Sequence, residues 1–112
     1  MKKILEIKKK IANDWFKTLQ KKMIDQFQLI ESEASKKNKK KIQYFIKREW
    51  KKSIKKEGGG TSYLLSGGKI FDKIGINQST VSGQFQKNFR SKILGAEKNG
   101  KYWASGISVV AH

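Results

Sequence analysis

One change of periodicity divides this chain. Trp15, Phe16, Leu19, Met23, Phe27, Ile30 and Ala34 recur every three or four positions, the spacing that lines one face of an α-helix. Lys17, Lys21, Lys22, Gln26 and Gln28 fall on the other face, and Asn13 or Asp14 offers an N-cap. Ile4, Ile7 and Ile11 keep the spacing, so residues 2–11 either extend the helix or fray from it. The polar stretch from Ser35 to Lys41 ends it. From Ile42 the period drops to two: Ile42, Tyr44 and Ile46 alternate with Gln43, Phe45 and Lys47 toward Trp50, as in a strand. Thr61 to Leu65, Ile70 to Val81 (interrupted at Gly75 and closed at Gly83) and Tyr102 to His112 read as further strands. Phe85 to Leu94 reads as a short helix, and Gly95 and Asn99-Gly100 frame a turn. A long helix followed by strands with one short helix among them is α+β, with an antiparallel sheet. At 112 residues the chain fits one domain, 1–112.

The net charge of +17 sits mostly on the helical half. Residues 1–57 carry 19 Lys/Arg against 7 Asp/Glu, and residues 58–112 carry 7 against 2. Such a balance suits an anionic partner, whether nucleic acid, a membrane surface or a polycarboxylate ligand. Only Arg48 and Arg90 are arginines, however, and readout of phosphates and bases favours the planar arginine fork. The lysines read as solvated surface, and the sequence argues against nucleic acid. With no cysteine there are no disulfides or thiolate metal sites. Met1-Lys2-Lys3 looks like the start of a signal segment, but Glu6 and Lys8-Lys9-Lys10 break any apolar core behind it. The longest near-apolar stretch, Trp103 to Ala111, is far too short for a membrane span. A soluble, cytoplasmic chain is expected.

The glycine clusters fail the phosphate-loop tests. A P-loop requires a glycine five residues before Gly68 and Ser/Thr after the lysine, but Tyr63 and Ile70 stand there. Gly58-Gly59-Gly60 lacks dinucleotide-binding spacing and reads as a flexible or closely approached loop. Asn77-Gln78-Ser79 matches a glycosylation acceptor by chance. No pair of carboxylates has catalytic spacing, and a single histidine cannot build a multi-histidine metal site.

That histidine, His112, closes the apolar run Gly106-Ile107-Ser108-Val109-Val110-Ala111-His112. A strand ending there, with no turn or charged cap, is expected of a sheet that continues further. Its apolar edge from Ile107 to Ala111 invites self-association. Ser108, Val110 and His112 share one face of the strand, with Ser108 and His112 roughly 13 Å apart at about 3.3 Å per residue.

Read in order, the second half resembles the oxygen-dependent coproporphyrinogen III oxidases. The residues that carry the resemblance are Trp50, then Gly58-Gly59-Gly60-Thr61-Ser62, then Gly68-Lys69-Ile70-Phe71-Asp72-Lys73-Ile74-Gly75-Ile76-Asn77-Gln78-Ser79-Thr80-Val81-Ser82-Gly83, and last Gly106 to His112. The family has a Trp, a glycine run with Thr/Ser, a Val-Phe-Glu-Lys-x-Gly-Val-Asn-x-Ser-x-Val segment and then Gly-Val-Ser-x-Val-x-His. The helix start at Trp15-Phe16 resembles the family's first helix, so the resemblance covers about residues 13–112. The glycine run is shorter than usual, Asp72 replaces the Glu of Phe-Glu-Lys, and Lys52 stands where the family has an Arg shortly after the Trp. The family's later His-x-Asn-x-Arg segment and second glycine-rich run are not among these residues.

The resemblance implies oxidative decarboxylation of two propionates of coproporphyrinogen III to vinyls, giving protoporphyrinogen IX, in haem biosynthesis. Molecular oxygen is the co-substrate and no organic cofactor is implied. It implies a large flat antiparallel sheet flanked by helices, of which this chain holds the N-terminal helix and part of the sheet, in a cytoplasmic homodimer. Ser108 matches a substrate-contacting serine. His112 matches a histidine assigned in some members as a ligand to a divalent metal, whose requirement is disputed. The proton donor and the propionate-gripping arginine are expected in sequence beyond these residues, so the chain is expected to be an inactive fragment. Without the resemblance, Ser108 reads equally as a polar residue on a half-buried strand, and His112 as a loose terminal residue. The competing readings of the whole are a lysine-rich nucleic-acid-binding protein and a non-catalytic porphyrinogen-binding protein.

Overall fold

The computed structural model describes residues 2–95 and 99–112. A 36-residue helix α1 (Lys2–Lys37) precedes strands β1 (Ile46–Lys51), β2 (Gly58–Ser66), β3 (Lys73–Gln84) and β4 (Lys101–Ala111). The strands form one antiparallel meander in the order β1-β2-β3-β4, with β1 and β4 at its edges. This is the expected α+β class. No helix among the described residues is long and apolar enough to cross a membrane.

Nothing interrupts α1, because it contains neither glycine nor proline. At about 1.5 Å per residue it is roughly 54 Å long, which accounts for most of the 60 Å long axis of the molecule. Residues 2–11 therefore extend the helix, and Asn13 and Asp14 lie inside it rather than capping it. Its end is a Schellman turn. Lys39 takes the left-handed conformation (φ 53°), its N–H donates to the Lys36 carbonyl and that of Lys40 to the Ser35 carbonyl. The Asn38 amide adds a bond to the Ala34 carbonyl at 2.7 Å.

The face that α1 turns to the sheet differs from the apolar stripe expected. Met23, Ile24 and Phe27 do pack on the buried trio Leu65, Ile74 and Ile76, joined by Phe45, Phe71, Ile107 and Val109. Trp15 and Ile30, however, are 53% and 45% exposed. The remaining contacts are polar. The Gln20 amide donates to the carbonyls of Thr61 (2.9 Å) and Ile76 (3.0 Å), and Asn13 accepts from the Thr80 hydroxyl. Glu31, fully buried, accepts three backbone N–H bonds from Lys69 (2.6 Å), Ile70 (3.0 Å) and Phe71 (2.7 Å). A Cβ on Gly68 would lie 2.6 Å from that carboxyl group, so only glycine lets the loop close on it.

These polar contacts also correct the strand boundaries. The N–H groups of residues 69–71 are held by Glu31, so β3 starts at Lys73 rather than Ile70. It runs unbroken through Gly75 and Gly83 to Gln84. Gln28, expected on the outer face, instead donates to the Gln43 carbonyl (2.9 Å) and accepts from the Phe45 N–H (3.2 Å). Those groups are lost to pairing, so β1 begins at Ile46 rather than Ile42. Gly58-Gly59-Gly60 is part of β2, with Gly59 and Gly60 paired on both sides and Gly58 paired with Val81, and is not a loop. The expected helix from Phe85 to Leu94 reduces to one 3-10 turn, Arg90–Lys92. The Gly95 to Asn99 turn falls partly on residues 96–98, outside the described residues. Gly100 does take a positive φ of 67° at the start of β4.

Candidate functional site on the open face of the sheet

Helix α1 covers only one face. Ile74, Ile76, Gln78 and Thr80 of β3 alternate toward it, so Gly75, Asn77, Ser79 and Val81 point to the opposite, open face. Residues directly opposite one another in an antiparallel pair share a face, so the register extends this division across all four strands.

The open face is layered. Its central row is polar: Arg48 stands opposite Ser62, Ser62 opposite Asn77, and Asn77 opposite Ser108. At about 4.8 Å between strands this row is roughly 14 Å wide. Ser62 is half-buried and the other three are exposed. Among the described residues, none of the four side chains makes a hydrogen bond or ion pair. On one side runs an apolar row, Ile46, Leu64, Gly75 and Val110, whose side chains are 67%, 42% and 49% exposed at Ile46, Leu64 and Val110. On the other runs a flat row, Trp50, Gly60, Ser79 and Gly106. There the Trp50 ring lies over Gly60, where a Cβ would sit 2.7 Å from the indole nitrogen. The glycines that fail as phosphate loops thus level one side of the face.

Ser108 therefore lies in a polar row with three residues that the sequence alone did not join to it. Asn77 was visible only as part of a motif, Ser62 as part of the glycine run, and Arg48 as one of many cations. The signal that groups them is strand parity, and it needs the register before it can be used. His112 continues the parity of Ser108 and Val110 just past β4. Its backbone is held, with its N–H donating to the Lys73 carbonyl (2.9 Å) and its carbonyl accepting from the Asp72 N–H (2.7 Å), so it is not a loose end. Four residues from Ser108 along the extended chain, it does not join the row.

The donor set does not make a metal site. No three His, Cys, Asp or Glu side chains converge among the described residues, so His112 offers a single ligand where a bound divalent ion needs several. Lys52, in the place of the family's arginine, is also engaged internally. Its ammonium group donates to the Tyr102 hydroxyl (3.2 Å) and the Ser82 carbonyl (3.3 Å) and pairs with Glu57 at 3.2 Å. The bond to Tyr102, and next that to Glu57, raises its pKa above the ordinary lysine value.

Residues 11–112 match the family model described as coproporphyrinogen III oxidase. The oxygen-dependent coproporphyrinogen-III oxidases of Rickettsia typhi and Rickettsia prowazekii are each 42% identical over 105 residues, which is 93% of this chain and 36% of theirs. That of Rickettsia felis is 41% identical over 104 residues, with the same coverage. The chain thus spans little more than a third of the length of these relatives. No solved structure matches it. The ordered glycine, Asn77 and Ser108 segments and the match over nearly all of the chain agree, and this protein belongs to the coproporphyrinogen III oxidase family.

Proposed function

We propose that this chain supplies part of the substrate-binding sheet of an oxygen-dependent coproporphyrinogen III oxidase, with coproporphyrinogen III held on the open face. The observation that carries the reading is the layering of that face: an exposed apolar row and a glycine-levelled row flank an unpartnered polar one. A tetrapyrrole with carboxylate arms needs this combination, flat apolar area for the ring and polar groups for the arms. Exposed apolar surface beside unsatisfied polar side chains also marks a face built to be covered.

In the reaction, each of two propionates loses CO₂ as its carbon–carboxylate bond breaks. A hydrogen leaves the carbon next to the ring, and the electron pair passes to O₂. Per arm, R–CH₂CH₂COO⁻ + O₂ + H⁺ gives R–CH=CH₂ + CO₂ + H₂O₂. Ser108 and Asn77 hydrogen-bond the substrate, fixing which arm sits over the row, while Trp50 and the apolar row exclude water from the ring. His112 is a lone candidate ligand among the described residues, which do not by themselves hold a metal. Nothing in the polar row is suited to move a proton, so the 112-residue chain binds without turnover. A cytoplasmic homodimer is part of the same proposal.

The test is a porphyrin-fluorescence assay with coproporphyrinogen III. The chain alone is expected to give no protoporphyrin, and a protein extended with the following coding sequence is expected to give it. Turnover by the 112 residues alone would refute the inactivity. An extended protein that neither binds nor converts the substrate would refute the function.

A further inference from the structure

Resting on that reading, we propose that Arg48 is a specificity-determining residue that grips one carboxylate arm of the tetrapyrrole at the β1 end of the polar row. The family resemblance places a propionate-gripping arginine elsewhere and a basic residue at position 52; the geometry points to a different cation in this chain. Lys52 has its charge committed to Glu57 and its donors to Tyr102 and Ser82. Arg48 has no ion pair or hydrogen bond among the described residues and is exposed, in line with Ser62, Asn77 and Ser108.

The surrounding charge is arranged for an anion. Only one residue of the four strands is acidic, Glu49. Strand alternation turns it to the helix side, where it pairs with Lys47 at 3.1 Å. No strand carboxylate therefore competes for the Arg48 guanidinium on the open face. A planar fork with parallel N–H donors matches a carboxylate bidentately, and a lysine there does not. The row also has directional chemistry: a fixed cation at one edge and neutral hydroxyl and amide groups at Ser62, Asn77 and Ser108. It therefore reads a ligand with a carboxylate at the β1 side and accepts a neutral or reacting arm nearer β4.

Fluorescence titration of coproporphyrin III, the oxidised tetracarboxylate, against the 112-residue chain tests this. Arg48→Met is expected to weaken binding about tenfold, the size of one lost charge-assisted contact. Arg48→Lys, which keeps the charge without the fork, is expected to fall between. Lys87→Met removes the same charge away from the sheet and is expected to change binding less than twofold. Circular dichroism checks that the variants fold alike, Arg48 being exposed and unpaired among the described residues. An Arg48→Met affinity within twofold of the parent, or a Lys87→Met loss as large as that of Arg48→Met, would overturn the role of Arg48 and leave the binding face standing. No binding by the parent chain would overturn the tetrapyrrole reading and this inference together.

Discussion

The two faces of one sheet obey opposite rules. Toward α1, β3 presents Ile74 and Ile76, fully buried, and Gln78, nearly so. No buried side-chain nitrogen or oxygen among the described residues lacks a hydrogen-bond partner. One residue along, the same strand presents Asn77 to the open side with no side-chain hydrogen bond among the described residues, beside Leu64 and Val110, which are left exposed. The first face satisfies its polar groups from within and contributes stability. The second leaves polar and apolar groups available together, which adds little to folding but suits an external ligand. Stability and binding are therefore separable by strand parity, and substitutions on the two faces should have different consequences.

The largest effect is expected at Glu31 on the covered face. Glu31→Ala leaves the N–H groups of Lys69, Ile70 and Phe71 without their acceptor. Losing several partly buried hydrogen bonds at once should cost about 3–5 kcal/mol, a large fraction of the stability of a small domain. Glu31→Gln keeps one carbonyl oxygen and should cost less. Urea denaturation of both variants measures the difference, and equal stabilities for Glu31→Ala and the parent would show that the 69–71 loop does not depend on this carboxyl group.

Glu31 also shows where sequence reading stops. The helix follows from spacing, although spacing leaves open whether residues 2–11 belong to it, and the class and the presence of the strands follow as well. The inward face of α1 does not. Asn13, Gln20 and Glu31 look like surface residues by type, and the groups that justify burying them lie 38 to 67 positions away in the chain. Counting apolar residues therefore rotated the stripe, placing Trp15 and Ile30 inside. The same blindness shifted the starts of β1 and β3, whose neighbouring N–H and carbonyl groups are taken by Gln28 and Glu31. At the candidate site, the parity of Ser108 was legible. Its alignment with Asn77, Ser62 and Arg48 was not, because a register is a property of paired strands and not of any one of them.

A middle-sized contrast comes from neighbouring positions on β3. Ile76→Ala removes a fully buried side chain from the core trio against which Ile24, Phe27 and Val109 pack and should cost about 3 kcal/mol in transfer and cavity terms. Asn77→Ala, one residue on, should change stability by less than about 0.5 kcal/mol while weakening coproporphyrin binding severalfold. Denaturation and titration of both variants measure the split. If Asn77→Ala destabilises as much as Ile76→Ala, the open face is part of the core and the division fails.

The smallest effect sharpens the contrast between two cations, Lys52 and Arg48. Hydrogen bonding to Tyr102 and then Glu57 raises the folded-state pKa of Lys52 above the ordinary 10.5. Its protonated form is thus favoured in the fold. Linkage fixes the sign: the contribution is fully present below the unfolded pKa and is lost as pH rises through the raised folded one. Lys47, raised by Glu49, follows the same direction. The stability difference between the parent and Lys52→Met should therefore be constant up to about pH 10.5 and shrink above it. The partners are solvent-accessible, so the difference should be small and fall with added salt. Arg48→Met should leave stability close to that of the parent, since Arg48 makes no ion pair or hydrogen bond among the described residues and is exposed. A loss of stability for Arg48→Met as large as that for Lys52→Met would mean that its charge also serves the fold rather than standing free for a ligand.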